Sequence, residues 1–188
     1  MKKELKPETM ISHFAEEREK YEGAVVPPIF QNTLFTFKDW DAIDAAFDDR
    51  INTSIYSRGR NPGVNIVEKK LAKLAGGEKA RLFASGMAAI TAAVMHFLDA
   101  GDHAIAIKNI YGPANNLISV YLKKKMGIET TFVSGNDLDE YKNAIRPNTK
   151  LFYLESPSTA IFNIQDIESI CKLARSKEIK TIIDILIV

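Results

Sequence analysis

Scarcity is the first thing the sequence shows: one cysteine, one tryptophan, three histidines and no surplus of either charge, with 25 Lys and Arg against 24 Asp and Glu. The lone Cys171 excludes an intrachain disulfide and a cysteine-based metal cluster, and its setting in ESICKLA suits a small core residue. A net charge of +1 with acids and bases interspersed gives no electrostatic reason to expect a nucleic-acid or anionic-membrane partner. No apolar run reaches membrane-spanning length. There is neither a Gly-x-Gly-x-x-Gly after a strand nor a Gly-Lys-Ser/Thr, which argues against a nucleotide or dinucleotide fold. The opening MKKELKPETMISHFAEEREK lacks the apolar centre of a secretory signal, so a cytoplasmic protein is expected.

What is present is enough for one well-buried domain or a large piece of a bigger one: 188 residues, 46% of them hydrophobic. The chain turns on Arg81–Ala93, RLFASGMAAITAA, where a strand-like apolar run meets Ser85-Gly86-Met87 and becomes alanine-rich helix. The first N–H groups of a helix have no internal partners and lie at the positive end of its dipole, so such a junction can hold an anion. Gly86 lets a ligand approach the backbone. The same junction also serves as a plain capped turn, and both readings stand at this point.

Residues 1–22 read as an exposed arm or short helix, and Pro27-Pro28 enforces an extended segment after it. In 39–49, Trp40, Ile43 and Phe47 share one helical face; in 62–75, Pro62 opens a helix that carries Val67, Leu71 and Leu74 on one face and stops at Gly76-Gly77. From residue 81 short apolar strands alternate with helices: strands at 81–84, 103–108, 129–133, 150–154 and 180–188, helices at 87–98, 113–125, 137–145 and 164–177. The expected fold is therefore α/β, a mainly parallel sheet wrapped by helices. Its strand ends would gather Ser85, Tyr111, Glu155 and Asp184 on one rim, where ligands bind in such sheets.

The polar sites each have a bland reading. Tyr56 and Arg58, in the punctuated loop SIYSRGRNPG, can be a solvated loop with a snorkelling Arg. Tyr111 before Gly112-Pro113 can be a turn aromatic, and Glu155-Ser156-Pro157 a strand-end turn. Asp184 is harder to explain away, because it interrupts the apolar run TIIDILI on an interior strand, where a carboxylate is costly unless a cation or strong donor meets it.

Together these pieces resemble the cysteine and methionine metabolism group of fold-type-I pyridoxal 5′-phosphate enzymes, which includes cystathionine synthases and lyases and methionine γ-lyase. The likeness runs nearly end to end. It is carried by Val26-Pro27-Pro28-Ile29-Phe30-Gln31-Asn32-Thr33, Tyr56-Ser57-Arg58-x-x-Asn61-Pro62 and Leu71-x-x-Leu74-x-Gly76-Gly77. Further along come Ser85-Gly86-Met87-Ala88-Ala89-Ile90, Gly101-Asp102-His103, Tyr111-Gly112, Pro147-Asn148-Thr149-Lys150 and Glu155-Ser156-Pro157.

The resemblance implies an N-terminal arm and cofactor-contacting loop over 1–62, then an incomplete large domain of aspartate-aminotransferase type over 63–188. It implies pyridoxal 5′-phosphate as cofactor, a sulfur-containing amino acid as substrate, elimination or replacement at Cβ or Cγ, no metal, and a homo-oligomer, dimer or tetramer. Ser85, Gly86 and Met87 would bind the cofactor phosphate, and Tyr56 and Arg58 would reach the phosphate of a neighbouring protomer. Tyr111 would stack on the pyridine ring, and Asp184 would pair with its protonated nitrogen; Tyr111 and Tyr56 are the candidate catalytic groups. Two departures are visible. Thr159-Ala160 stands where many members have Asn-Pro, as in the β-lyase branch, and Ile185-Leu186 follows Asp184 where Asn-Thr is usual. In the family the lysine that carries the cofactor as a Schiff base lies downstream, and no lysine follows Asp184 here. The expectation is a truncated chain without its C-terminal domain, catalytically silent alone; a non-catalytic α/β module that holds a phosphate ligand is the alternative.

Overall fold

In the computed structural model, residues 6–185 are described. Residues 1–5 of the expected arm and the end of the expected strand, 186–188, lie outside them. The chain divides into two compact units between Leu82 and Phe83.

The N-terminal unit carries α1 (Pro7–His13), a 3₁₀ turn (Arg18–Tyr21), α2 (Trp40–Asp48) and α3 (Pro62–Leu74). Local chemistry sets these bounds. Pro7 and Pro62 open α1 and α3, where a missing N–H costs nothing, and the side chains of Asp39 and Asn61 cap α2 and α3 by accepting from Ala42 N and Gly63 N, both at 2.9 Å. The helix predicted over 62–75 is thus in place, and α1 packs on it. Its apolar residues divide differently from the expectation. Ile66 and Ala72 are buried together with Glu68, whereas Val67, Leu71 and Leu74 are exposed.

The C-terminal unit is a four-stranded parallel sheet in the order β2-β1-β3-β4: β1 (His103–Ile107), β2 (Glu129–Val133), β3 (Thr149–Glu155) and β4 (Lys180–Asp184). The central strands β1 and β3 are buried along almost their whole length, which explains why HAIAI and LFYL read as continuous apolar runs instead of alternating ones. Helices α4 (Gly86–Phe97), α7 (Leu138–Ala144) and α8 (Ile167–Ser176) start at Ser85, Asp137 and Asp166, whose side chains accept from Ala88 N, Asp139 N and Ser169 N. The helix expected over 113–125 is present in three pieces: α5 (Gly112–Asn116), a π-helical turn (Leu117–Tyr121) and α6 (Leu122–Met126). Gly127, in the left-handed region at φ +66°, ends it.

Two further expectations fail. Residues 81–84 form no strand: among the described residues nothing pairs with them, and Leu82 N donates to the Glu68 carboxylate at 3.0 Å instead of to a neighbouring strand. Cys171 is only half-buried, with Sγ 3.8 Å from Thr181 Oγ1, because the buried stripe of α8 runs through Ile170 and Ala174. The last strand lies at the edge of the described sheet, paired with β3 alone, and Ile183 and Ile185 are exposed.

Candidate functional site

Parallel pairing aligns Glu155 of β3 with Asp184 of β4 at the carboxyl ends of both strands. The loop after β1 brings Tyr111 to the same rim, where Tyr111 N donates to Glu155 Oε2 at 2.7 Å. The start of α4 completes it. Ser85, Gly86, Met87, Ile90, Tyr111, Glu155, Thr159 and Asp184 line one cavity of about 440 Å³, within the range of small-molecule sites. The rim expected from the alternating pattern is thereby assembled within a single compact unit.

At the start of α4 the Ser85 hydroxyl accepts from Ala88 N at 3.2 Å, and Ser85 O accepts from Ala89 N, also at 3.2 Å. The N–H groups of Gly86 and Met87 therefore have no partner among the described residues, and they sit where the helix dipole is positive. A Cβ added at Gly86 would meet no atom of another element within 4 Å, so packing against the rest of the chain does not explain the glycine.

Asp184 meets a strong neutral donor, one of the two kinds of partner that its place in an apolar strand calls for. Tyr153 is fully buried and its hydroxyl donates to Asp184 Oδ2 at 3.1 Å. Burial pushes the Tyr153 phenol well above the ordinary tyrosine value, and the Asp184 charge adds to it, so the hydroxyl keeps its proton and its role as donor. Glu155 is buried too, its second oxygen accepting from Thr159 Oγ1 at 2.5 Å. The alternating pattern puts Glu155 on this rim without giving it a role, and it does not point to Tyr153. The signal for Glu155 was the one used for Asp184, a carboxylate closing an apolar strand.

Tyr56 and Arg58 lie in the N-terminal unit. Tyr56 forms an isolated antiparallel bridge with Leu34, and the Arg58 guanidinium stands over the Tyr56 ring, 5.0 Å from its centre. Asn61 ties this loop down by donating to Phe30 O at 2.9 Å. Among the described residues no group of three or more His, Cys, Asp or Glu is arranged to hold a metal ion, and no helix is long and apolar enough to cross a membrane.

The sequence model of the Cys/Met metabolism PLP-dependent enzymes matches residues 8–187. The chain belongs to that family. Among curated relatives, the L-methionine gamma-lyase of Treponema denticola is 34% identical over 92% of this chain and 43% of its own length. The cystathionine gamma-lyase of Bacillus subtilis is 33% identical over 96% of this chain and 45% of its own. The same fold appears in the crystal structure of a Campylobacter jejuni protein assigned as an O-acetylhomoserine (thiol)-lyase, which carries a pyridoxyl-lysine phosphate: TM-score 0.89, 34% identity, 96% of this chain and 44% of that one. The chain thus spans less than half the length of the relatives it matches. The curated relatives include lyases of methionine and cystathionine and an O-succinylhomoserine sulfhydrylase, and the family is one of pyridoxal phosphate-dependent enzymes of cysteine and methionine metabolism.

Proposed function

We propose that this chain binds pyridoxal 5′-phosphate in the cavity between α4 and the ends of β3 and β4, as the cofactor half of an enzyme that eliminates or replaces groups at Cβ or Cγ of cystathionine, methionine or an activated homoserine. One observation carries the reading: two unpartnered helix-start N–H groups, an aromatic ring and a carboxylate line the same cavity. A phosphorylated pyridine presents groups that match them: an anion, a flat π-face and a ring nitrogen that carries a proton.

In this reading the Gly86 and Met87 N–H groups hold the phosphate at the positive end of α4. Tyr111 supplies a flat wall, and Asp184 keeps a proton on the ring nitrogen. Pyridoxal phosphate, when bound, supplies an electron sink for the charge left at Cα after proton removal. Tyr56 and Arg58 serve the phosphate of a neighbouring protomer, which makes the working form a homo-oligomer with shared sites. Among the described residues no lysine lines the cavity. We propose accordingly that binding resides in these residues and that turnover needs an amine from elsewhere, so that the 188-residue chain alone is silent.

The test is equilibrium dialysis of the chain against pyridoxal phosphate, ATP and NAD, with a lyase assay on cystathionine and methionine. Saturable binding of pyridoxal phosphate alone, weakened by Asp184→Ala, is expected. Equal uptake of all three ligands would reduce the site to a general phosphate cradle. Sustained turnover by the chain would overturn the assignment of the amine to another source.

A further inference from the structure

Tyr153 faces the same side of the sheet as Glu155, two residues earlier on β3, and it pairs with Ile182, two residues before Asp184. That diagonal separation is one an aromatic side chain can span, and the Tyr153 hydroxyl closes it by donating to Asp184 Oδ2 at 3.1 Å. The ring is fully buried in the core, so its hydroxyl has little freedom to go elsewhere. Asp184, by contrast, is half-buried on a strand that among the described residues is paired on one side only, a place where a carboxylate can swing unless something fixes it. Among the described residues Oδ1 accepts no hydrogen bond, and Asp184 lines the cavity.

We propose that Tyr153 is a positioning residue: by holding Oδ2 from the core it turns the other carboxylate oxygen of Asp184 into the cavity, toward a protonated heteroaromatic nitrogen. The inference rests on the pairing of Asp184 with the cofactor's ring nitrogen given under Proposed function. Tyr153 touches no ligand itself and acts through Asp184. The Thr159 hydroxyl, which spends its proton on Glu155, and the Glu155 carboxylate are both acceptors in this cavity, so the arrangement favours a ligand that brings its own N–H.

The experiment compares two probes on the full chain, pyridoxine 5′-phosphate and its carbocyclic analogue with C–H in place of the ring nitrogen. Neither has an aldehyde, so neither reacts with surface lysines. The wild-type chain and the Tyr153→Phe and Asp184→Ala variants are titrated with both probes, folding being checked by circular dichroism. Freeing Asp184 to turn forfeits only part of its charge-assisted hydrogen bond to the ligand, so the nitrogen-containing probe should weaken about three- to tenfold in Tyr153→Phe and the carbocyclic one should be unchanged. Asp184→Ala should show the same selectivity, more strongly. Equal weakening of both probes in Tyr153→Phe would reveal a merely structural tyrosine and overturn the proposal, as would no weakening at all. If wild-type binding is absent, or if Asp184→Ala does not discriminate between the probes, the reading of Asp184 itself fails and this inference with it.

Discussion

Glu155 holds Tyr111 at the mouth of the cavity by accepting its backbone N–H at 2.7 Å, while the other carboxylate oxygen takes the Thr159 hydroxyl. One buried side chain thus fixes residues from two loops, one after β1 and one after β3. Removing it as Glu155→Ala leaves both donors without their acceptor, at a cost of about 1–3 kcal/mol in stability. Pyridoxal phosphate affinity should fall about tenfold, since 1.4 kcal/mol of lost positioning is a decade. Glu155→Gln keeps one carbonyl oxygen and should lie between wild type and alanine. Thermal melts and dialysis on the three proteins check this, and wild-type affinity in the alanine variant would remove Glu155 from the site.

Gly86 separates structural from ligand-driven need for a glycine. An added methyl meets no protein atom within 4 Å beyond its chain neighbours and its own helix backbone, and Gly86 is the first residue of α4, so Gly86→Ala should leave the melting temperature near that of wild type. If a phosphate approaches the backbone here, the same methyl intrudes on it, and pyridoxal phosphate binding should weaken by at least about tenfold. Both measurements are made on one variant. Unaltered binding would place the anion away from this helix start.

Much of this arrangement was legible because it is local. Ser85 and Pro62 announce the starts of α4 and α3 by residue type, and the buried strands β1 and β3 announce themselves as apolar runs. Alternation of strand and helix then dictates that strand ends meet, which is why Ser85, Tyr111, Glu155 and Asp184 could be placed on one rim in advance. What was not legible depends on partners distant in sequence. Residues 81–84 look like a strand, but a strand needs a ladder, and Leu82 N finds the Glu68 side chain. Cys171 sits in an apolar-looking helix, yet only the geometry of α8 against its neighbours decides which stripe is buried. The hydrogen bond from Tyr153 to Asp184 joins residues 31 apart, and no local pattern encodes it.

Gly135, in the turn after β2, is required for two reasons at once. Its φ is +88°, outside the range L side chains readily adopt, and a Cβ there would stand 2.9 Å from Ile107 Cγ2 and 3.1 Å from Gln165 Cγ. Ile107 is core and closes β1, so neither contact relaxes cheaply. Gly135→Ala should cost about 2–4 kcal/mol, the sum of a strained backbone and an overpacked contact. Urea unfolding measures it, and a loss below 1 kcal/mol would show that the turn reorganises freely.

His103 should make stability depend on pH in a defined window. The ring is fully buried at the start of β1, with Nδ1 2.8 Å from Thr149 Oγ1 and Nε2 2.9 Å from Thr131 Oγ1. Threonine hydroxyls can accept from either nitrogen, so hydrogen bonding alone does not forbid the imidazolium. Burial does, and the neighbouring Arg146 charge adds to it against a smaller opposing pull from Glu129, bringing the pKa from 6.5 down to about 4. The folded ring therefore stays neutral where the unfolded one takes up a proton. Below pH 6.5 the unfolded state binds more protons than the folded state, so stability falls as the pH is lowered and levels off near the folded value of about 4. The loss across that window is on the order of 3 kcal/mol. Carboxylates held low by their partners, among them Glu129 beside Arg146 and Glu140 bonded by Ser134, also contribute at the acid end, so the histidine is isolated by difference. Urea unfolding of wild type and His103→Gln at intervals from pH 7.5 to 4 should show wild type losing about 3 kcal/mol more than the variant, since glutamine keeps both a donor and an acceptor for the threonines but does not titrate. Parallel curves would mean that the ring is protonated in the fold as readily as out of it.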